Sequence, residues 1–351
     1  MEFPQFDDVG SFPLPEYIDK ESFKQFYWTA YKGLVNKTEI FENRGIYNNF
    51  VHPILQSFQL KLNAGVEIIN YPQHMDMHAQ FLKPIEDYEI EPNLIDPEKA
   101  LIPEMFVIDQ FAKEYYERIG KPLEVKICVT GPIELYVKRL NFTIYLDIAL
   151  NFARSVNSFL KNAAINKKHI IVSIVSIDEP SFGYIDLVNA NDDDLIKIFD
   201  KSLEGIKSTN QIHLHTLNQS HIPLQAKNID VLTCEYASNK SNKIPKKELE
   251  RFDKYIRVGI IRTNINSIIA EALDSGASYD EIKTFEGAMK LIDSKERIEK
   301  NLLDALDLYG DRLKYIGPDC GLSGWHPPQV AYELLHRTYE IIKEVKKSRA
   351  N

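Results

Sequence analysis

The sequence predicts an α/β chain of the (β/α)8, or TIM, barrel class. Three observations carry this. Short apolar, β-branched runs alternate with long amphipathic stretches, as parallel βα units do. Eight such runs can be counted in the 351 residues, with no internal break in composition, which suits a barrel of about 250 residues or more. Polar residues able to do chemistry collect just after the runs, where a barrel gathers its active-site loops.

The elements follow in chain order. A weak run before Gly10 supplies the first strand. Lys20–Leu62 reads as helix, Val66–Tyr71 as strand, Pro103–Ile119 as helix, Glu124–Val129 as strand and Ile144–Ile165 as helix. Ile170–Ile177 reads as strand and Asp192–Ser208 as helix, its three leading acids suiting a first helical turn. Gln211–His215, Ile229–Cys234 and Tyr255–Ile261 read as strands, Tyr279–Leu308 as helix, Leu313–Ile316 as strand and Pro328–Lys347 as the last helix. Length arbitrates these assignments, since the strand-like runs are short and the helical patterns exceed about 10 residues. Ser238–Lys247 is the loosest polar stretch and reads as a surface loop. The competing architecture is an open doubly wound sheet. That fold would carry a Gly-rich phosphate turn after its first strand, whereas Gly10 stands alone before Ser11-Phe12-Pro13. No repeat, low-complexity tract or linker divides residues 1–351, so one domain is expected.

Composition narrows the function. The formal charge of −9 opposes a nucleic-acid surface, which needs a basic excess, and opposes anionic membrane. Three cysteines cannot build a disulfide framework, which points to the cytoplasm. Met1–Pro15 carries early acids and prolines, so no signal peptide is expected. No run approaches the roughly 18 apolar residues of a membrane helix.

The residues following the strands are Ser11, Gln73/His74/Asp76, Thr130/Gly131, Asp178/Glu179, His215, Glu235, Arg262/Thr263 and Asp319/Cys320. In a barrel all of these face one end. Each also has a plain structural reading. A His after a strand is commonly a hydrogen-bonded loop residue. Asp178-Glu179-Pro180 can be a turn opening a helix, Glu235 can pair with Arg262, and Cys320 can be an inert buried thiol. Cys128 and Cys234 lie in apolar strands and read as core, with Cys234 pointing opposite to Glu235. His74 and His78 with Asp76 could bind a metal on a helix face, although a polar active-site loop is the stronger reading.

The densest stretch is Gly317-Pro318-Asp319-Cys320-Gly321-Leu322-Ser323-Gly324-Trp325. It is preceded in order by Val9-Gly10-Ser11-Phe12-Pro13, Thr130-Gly131-Pro132, Ile177-Asp178-Glu179-Pro180, Ile212-His213-Leu214-His215 and Glu235. Together these resemble the catalytic domain of the cobalamin-independent methionine synthase family, in its short archaeal-type form, over nearly the whole chain. The resemblance implies a uroporphyrinogen decarboxylase/methionine synthase-like (β/α)8 barrel. It also implies a zinc ion held by His215, Glu235 and Cys320, and methyl transfer to the thiol of homocysteine in methionine biosynthesis. Ser11 would sit at the substrate carboxylate and Asp178 at the ammonium. The chemistry fits these residue types, because a thiol of pKa about 8.5 loses its proton on coordination and becomes a nucleophile.

Four departures from the family pattern shape the expectation. The His-x-Cys ligand pair reads His215-Thr216-Leu217, so the metal keeps three protein ligands, or His213 and His215 form the pair, or activity is lost. The acid near the substrate ammonium is replaced by neutral Gln73, leaving Asp178 and Asp76. The proton-donating His after the seventh strand is replaced by Arg262, a poor general acid, although Arg262 and Asp178 are the catalytic candidates. The pterin-stacking Trp after Gly131-Pro132 is absent. A methyl-corrinoid, either methylcobalamin or a corrinoid protein, is therefore expected as donor rather than methyltetrahydrofolate, because a departing reduced cobalt needs no proton. The rival readings are a methyltransferase acting on another thiol such as coenzyme M, and a non-catalytic barrel that serves as a partner subunit.

Overall fold

Eight parallel strands close into a ring in the computed structural model, which describes residues 3–350. They are β1 (Gln5–Phe6), β2 (Ile69–Asn70), β3 (Leu123–Thr130), β4 (Ile170–Asp178), β5 (Thr209–His213), β6 (Val231–Cys234), β7 (Tyr255–Ile261) and β8 (Leu313–Pro318). Each pairs with its neighbour in chain order, and β8 returns to β1. A parallel bridge between Asp7 and Ile68 joins β1 to the β2 segment and completes the circle. The architecture is the expected (β/α)8 barrel.

The outer ring is helical. It comprises α1 (Lys20–Val35), α2 (His52–Asn63), α3 (Ala79–Asp87), α4 (Pro103–Ile119), α5 (Pro132–Arg139), α6 (Leu146–Ala163), α7 (Asp192–Ser202), α8 (Ile265–Asp274), α9 (Lys295–Tyr309) and α10 (Pro328–Ala350), with shorter turns between. The outward strand residues, among them Val125, Ile127, Val129, Leu232, Ile256 and Val258, pack beneath these helices in one large core. No described helix is long and apolar enough to cross a membrane.

The structure changes several sequence expectations. The pattern read as one helix over Lys20–Leu62 is two helices. The chain stops at Asn36 and turns through Lys37, which has a left-handed φ of 57°. Phe23, Tyr27, Phe50 and Ile54 from both halves pack together, so helical spacing persists across the turn. The pattern read as one helix over Tyr279–Leu308 is likewise broken, into Tyr279–Ile282, Phe285–Lys290 and α9, and three of the longer helices escape the pattern. α3 contains Pro84, α5 begins directly after β3 with Pro132 at its first position, and α8 follows Arg262-Thr263-Asn264 without a break in composition. The Gln211–His215 run is displaced, because β5 ends at His213 and His215 lies in the loop.

Inside the ring the side chains form layers. The lowest is apolar and comes from the even strands: Ile68, Ile174, Val231 and Tyr315. Above it lies a layer from the odd strands that departs from the usual branched aliphatics. Asp7 bridges Lys126 of β3 at 2.9 Å and Arg257 of β7, and all three are essentially inaccessible to solvent. Ion pairs between non-adjacent strands can form only through the barrel interior. Gln211 of β5 occupies the same inward register. Ser176 of β4 and Thr233 of β6 come next, and the strand ends begin above them.

Candidate active site

Alternation along a strand places every second residue on one side. His213 therefore faces the barrel mouth from the last position of β5, and His215 follows two residues later. Glu235 is the first residue past β6, and Cys320 the second past β8. These four side chains converge, with one ligand atom from each lying within 4.8 Å of all the others. Cys320 Sγ is 3.4 Å from His215 Nε2 and 3.6 Å from His213 Nε2. His215 Nε2 is 3.5 Å from Glu235 Oε1.

These separations suit a tetrahedral ion. Zinc–nitrogen bonds of about 2.0–2.1 Å and zinc–sulfur bonds of about 2.3 Å give donor–donor edges of roughly 3.3–3.6 Å. The electrostatics point the same way. Burial, followed by the neighbouring Asp319, pushes the Glu235 carboxyl up to about 8. Burial, followed by Glu235, pushes the Cys320 thiol up to about 12. Burial, followed by His215, holds His213 well below its ordinary value, and burial lowers His215 as well. Without a cation, the four groups thus favour their neutral forms. The imidazoles keep their lone pairs free, and a dication would compensate a carboxylate and a thiolate that otherwise repel.

The surrounding residues aim these donors. Thr233 Oγ1 lies 3.1 Å from His213 Nδ1 and accepts the Leu214 N–H at 3.0 Å, which turns Nε2 of His213 toward the cluster. The Cys320 N–H donates to Thr263 Oγ1 at 3.0 Å, and the Trp325 indole donates to the Thr263 carbonyl at 3.0 Å. Gly321 lies so close to Ser11 that a Cβ would fall 1.9 Å from the Ser11 hydroxyl oxygen. The glycine and tryptophan of the Cys320 motif are thereby explained by packing. Leu217 points into the apolar core, and its N–H donates to Asn242 Oδ1 at 2.9 Å.

Two pockets open beside each other at this end of the barrel. One, of about 300 Å³, contains His215, Glu235 and Cys320. The other, of about 390 Å³, contains Ser11, Gln73 and Asp76, and Ser323 lines both. Gln73 donates to Gln80 Oε1 at 2.9 Å. Asp76 is exposed and accepts the His78 and Ala79 N–H groups at 3.1 and 2.9 Å, at the start of α3. Asp178 ends β4 almost buried, accepts the Ser176 hydroxyl at 2.8 Å, and is pushed up to about 6 by burial.

The histidines of the β2 loop diverge. His74 lies between the Phe12 carbonyl and Ser57, whereas His78 pairs with Glu134 at 2.8 Å. Arg262 is also not brought to the cluster. Its guanidinium is held by Asp293 at 2.8 Å and Glu271 at 2.6 Å, on the α8 side of the loop. Glu235 Oε1 lies 3.5 Å from His215 Nε2 and Arg262 is held by Asp293 and Glu271, so the alternative Glu235–Arg262 pair does not form. Cys128 and Cys234 are buried, as their strand positions require. Thr233 carries no sequence signal as a support beyond standing two residues before Glu235, which alternation puts on the same side as the residue just past β6.

No family model matches the chain. It is 25% identical over 332 residues to a methionine synthase of Methanocaldococcus jannaschii, covering 89% of this chain and 96% of that protein. It is 20% identical to a methionine synthase of Sulfolobus acidocaldarius, covering 90% and 84%. Among solved structures it resembles a B12-independent methionine synthase from Shewanella sp. W3-18-1 in complex with selenomethionine, with a TM-score of 0.62, 17% identity and 99% of both chains covered. A putative vitamin-B12-independent methionine synthase from Listeria monocytogenes matches with a TM-score of 0.56 and 14% identity, covering 98% of this chain and 99% of that one. The structural likenesses bear on the fold alone.

Proposed function

We propose that this relative of the methionine synthases is a methyltransferase that moves a methyl group onto the thiol of homocysteine, giving methionine. The observation that carries the reading is the convergence of His213, His215, Glu235 and Cys320 at the mouth of the barrel. Zinc is the ion these donors suit, being nitrogen, oxygen and sulfur at tetrahedral edge lengths. When bound, zinc would supply the Lewis acidity that lets an incoming thiol react as thiolate near neutral pH. His213 takes the place left by Leu217, so the set would have four donors rather than three. With one protein thiolate and one carboxylate, it would carry less negative charge than a two-cysteine set.

The remaining roles would fall to residues around the neighbouring pocket. Asp178, at the end of β4, would accept hydrogen bonds from the substrate ammonium, and Ser11 would hydrogen-bond the carboxylate. Gln73 and Asp76 line the same pocket as Ser11. Ser323, shared by the two pockets, marks where a short thiol-bearing amino acid could reach from one to the other. The whole of 1–351 is read as one barrel domain working in the cytoplasm.

The donor we infer is a methyl-corrinoid. Arg262 is committed to Asp293 and Glu271 and is poorly placed to protonate a leaving folate nitrogen. The test is methyl transfer to homocysteine by purified, zinc-loaded protein, supplied in parallel with methylcobalamin and methyltetrahydrofolate. Turnover with the first alone is expected. Turnover with the folate alone would overturn the donor assignment. Turnover on coenzyme M but not on homocysteine would transfer the reading to another thiol. Absence of bound zinc together with absence of turnover would leave the non-catalytic barrel.

A further inference from the structure

Asp319 stands beside one metal-ligating candidate and touches the chain next to another. It is 1% exposed and immediately precedes Cys320. Its Oδ1 accepts the Ala237 N–H at 3.0 Å, and its Oδ2 accepts the Ser238 N–H at 2.7 Å and the Ser238 hydroxyl at 2.6 Å. Ala237 and Ser238 lie two and three residues beyond Glu235. The carboxylate therefore ties the loop after β6 to the loop after β8, bypassing β7 between them. β7 makes room for this tie: a Cβ at Gly259 would fall 1.9 Å from Asp319 Oδ1. The base of the tie is also held. The Asp319 N–H donates to the Ile261 carbonyl at 3.0 Å, and Arg257 Nη1 donates to the Pro318 carbonyl at 2.9 Å.

We propose that Asp319 is a positioning residue that sets the separation of Glu235 from Cys320, and through it the affinity and geometry of the metal site. The proposal rests on the reading that the four donors hold a metal. A carboxylate is needed because three donors converge on it, and only a group with two acceptor oxygens satisfies them all. An amide of the same shape presents an NH2 to at least one of these donors. The loop after Glu235 would then lose the ties at Ser238, keeping the bond from the Ala237 N–H to the Gly259 carbonyl at 3.1 Å, and Glu235 would be freer to shift, while His213 and Cys320 keep their bonds to Thr233 and Thr263.

The probe is cobalt(II), added to metal-free full-length protein. Affinity is measured by competition with a chromophoric chelator, and geometry by the visible absorption bands of the bound ion. Asp319→Asn is expected to weaken cobalt binding by about 10–100-fold and to alter the band envelope. Ser238→Ala, which removes one of the three bonds, should weaken binding less and shift the bands in the same direction. A lower melting temperature for Asp319→Asn with wild-type affinity and an unchanged spectrum would overturn the proposal, since the tie would then be structural only. If Asp319→Asn fails to fold, Ser238→Ala decides alone, and wild-type affinity and bands in that variant overturn it. Failure of the wild-type protein to take up cobalt or zinc would overturn the metal reading itself, a result separable from normal binding in both variants.

Discussion

His213→Ala discriminates most sharply between the two arrangements the metal could adopt. If the ion is held by His215, Glu235 and Cys320 alone, His213 is a bystander and Leu217 leaves a gap. If His213 fills that gap, its loss removes one donor of four. Zinc sites with four protein ligands bind with apparent free energies of about 10–16 kcal/mol, hence about 2.5–4 kcal/mol per ligand. At about 1.4 kcal/mol per decade this is a loss of roughly 10²–10³-fold in affinity. The upper part of that range is expected. The imidazole is buried, stays neutral, and is already turned by Thr233 at 3.1 Å, so it surrenders little freedom on binding. Thr233 keeps its bond from the Leu214 N–H, so the strand end should survive the substitution. The assay is zinc competition against a chromophoric chelator at fixed pH, alongside urea unfolding of the metal-free protein. His215→Ala should lose affinity to a similar degree. Wild-type zinc affinity in folded His213→Ala, with a clear loss in His215→Ala, would refute the four-donor argument.

Three further outcomes follow from the geometry. Asp178 has a folded pKa of about 6, above the roughly 3.9 of an unfolded aspartate. The fold therefore retains this proton where the unfolded chain loses it, ionisation costs stability as pH rises from about 4 to about 6, and the anion that would bind an ammonium predominates only above about pH 6. kcat/KM for homocysteine should fall as pH drops below about 6, and Asp178→Asn should raise KM and abolish that acid limb; an unchanged limb would assign it elsewhere. Gly321→Ala places a Cβ 1.9 Å from Ser11 Oγ, so Ser11 must move and kcat/KM should drop by about 10²-fold, whereas unaltered kinetics would remove Ser11 from the substrate pocket. Asp7→Ala leaves Lys126 and Arg257 as buried cations without their shared partner; a loss of about 3–5 kcal/mol in urea unfolding is expected, and a neutral effect would mean that water enters the barrel interior.

Much of the site was legible because strand-end positions carry their own signal. His215, Glu235 and Cys320 each follow an apolar β-branched run, and parallel strands bring such positions to one end of the barrel. The place of His213 in the cluster was legible only as an alternative. Strand alternation puts 213 and 215 on one side, but which residues reach Cys320 and Glu235 depends on where the loop goes. Arg262 illustrates the opposite case. Its position after β7 suggested the site, and the side chain is drawn away by Asp293, 31 residues further on, which no local pattern reveals.

The helices show the same division. α1 and α2 share one apolar periodicity, and only the left-handed turn at Lys37 separates them. Thr233, Thr263 and Asp319 gave no local sign of acting as supports, because a hydrogen bond between different strands or their loops is set by register and not by spacing along the chain.

The sequence by itself determined the alternation of strands and helices, the barrel class, and the chemical types gathered at one end, since these follow from short-range periodicity and from the parallel βα rule. The tertiary structure alone decided which of those residues meet. It brought His213 into one cluster with His215, Glu235 and Cys320, turned Arg262 away from it, and placed Asp319 across two loops. Such choices depend on distances of 2.6–3.6 Å between residues 9 to 107 positions apart, and those distances exist only once the ring has closed.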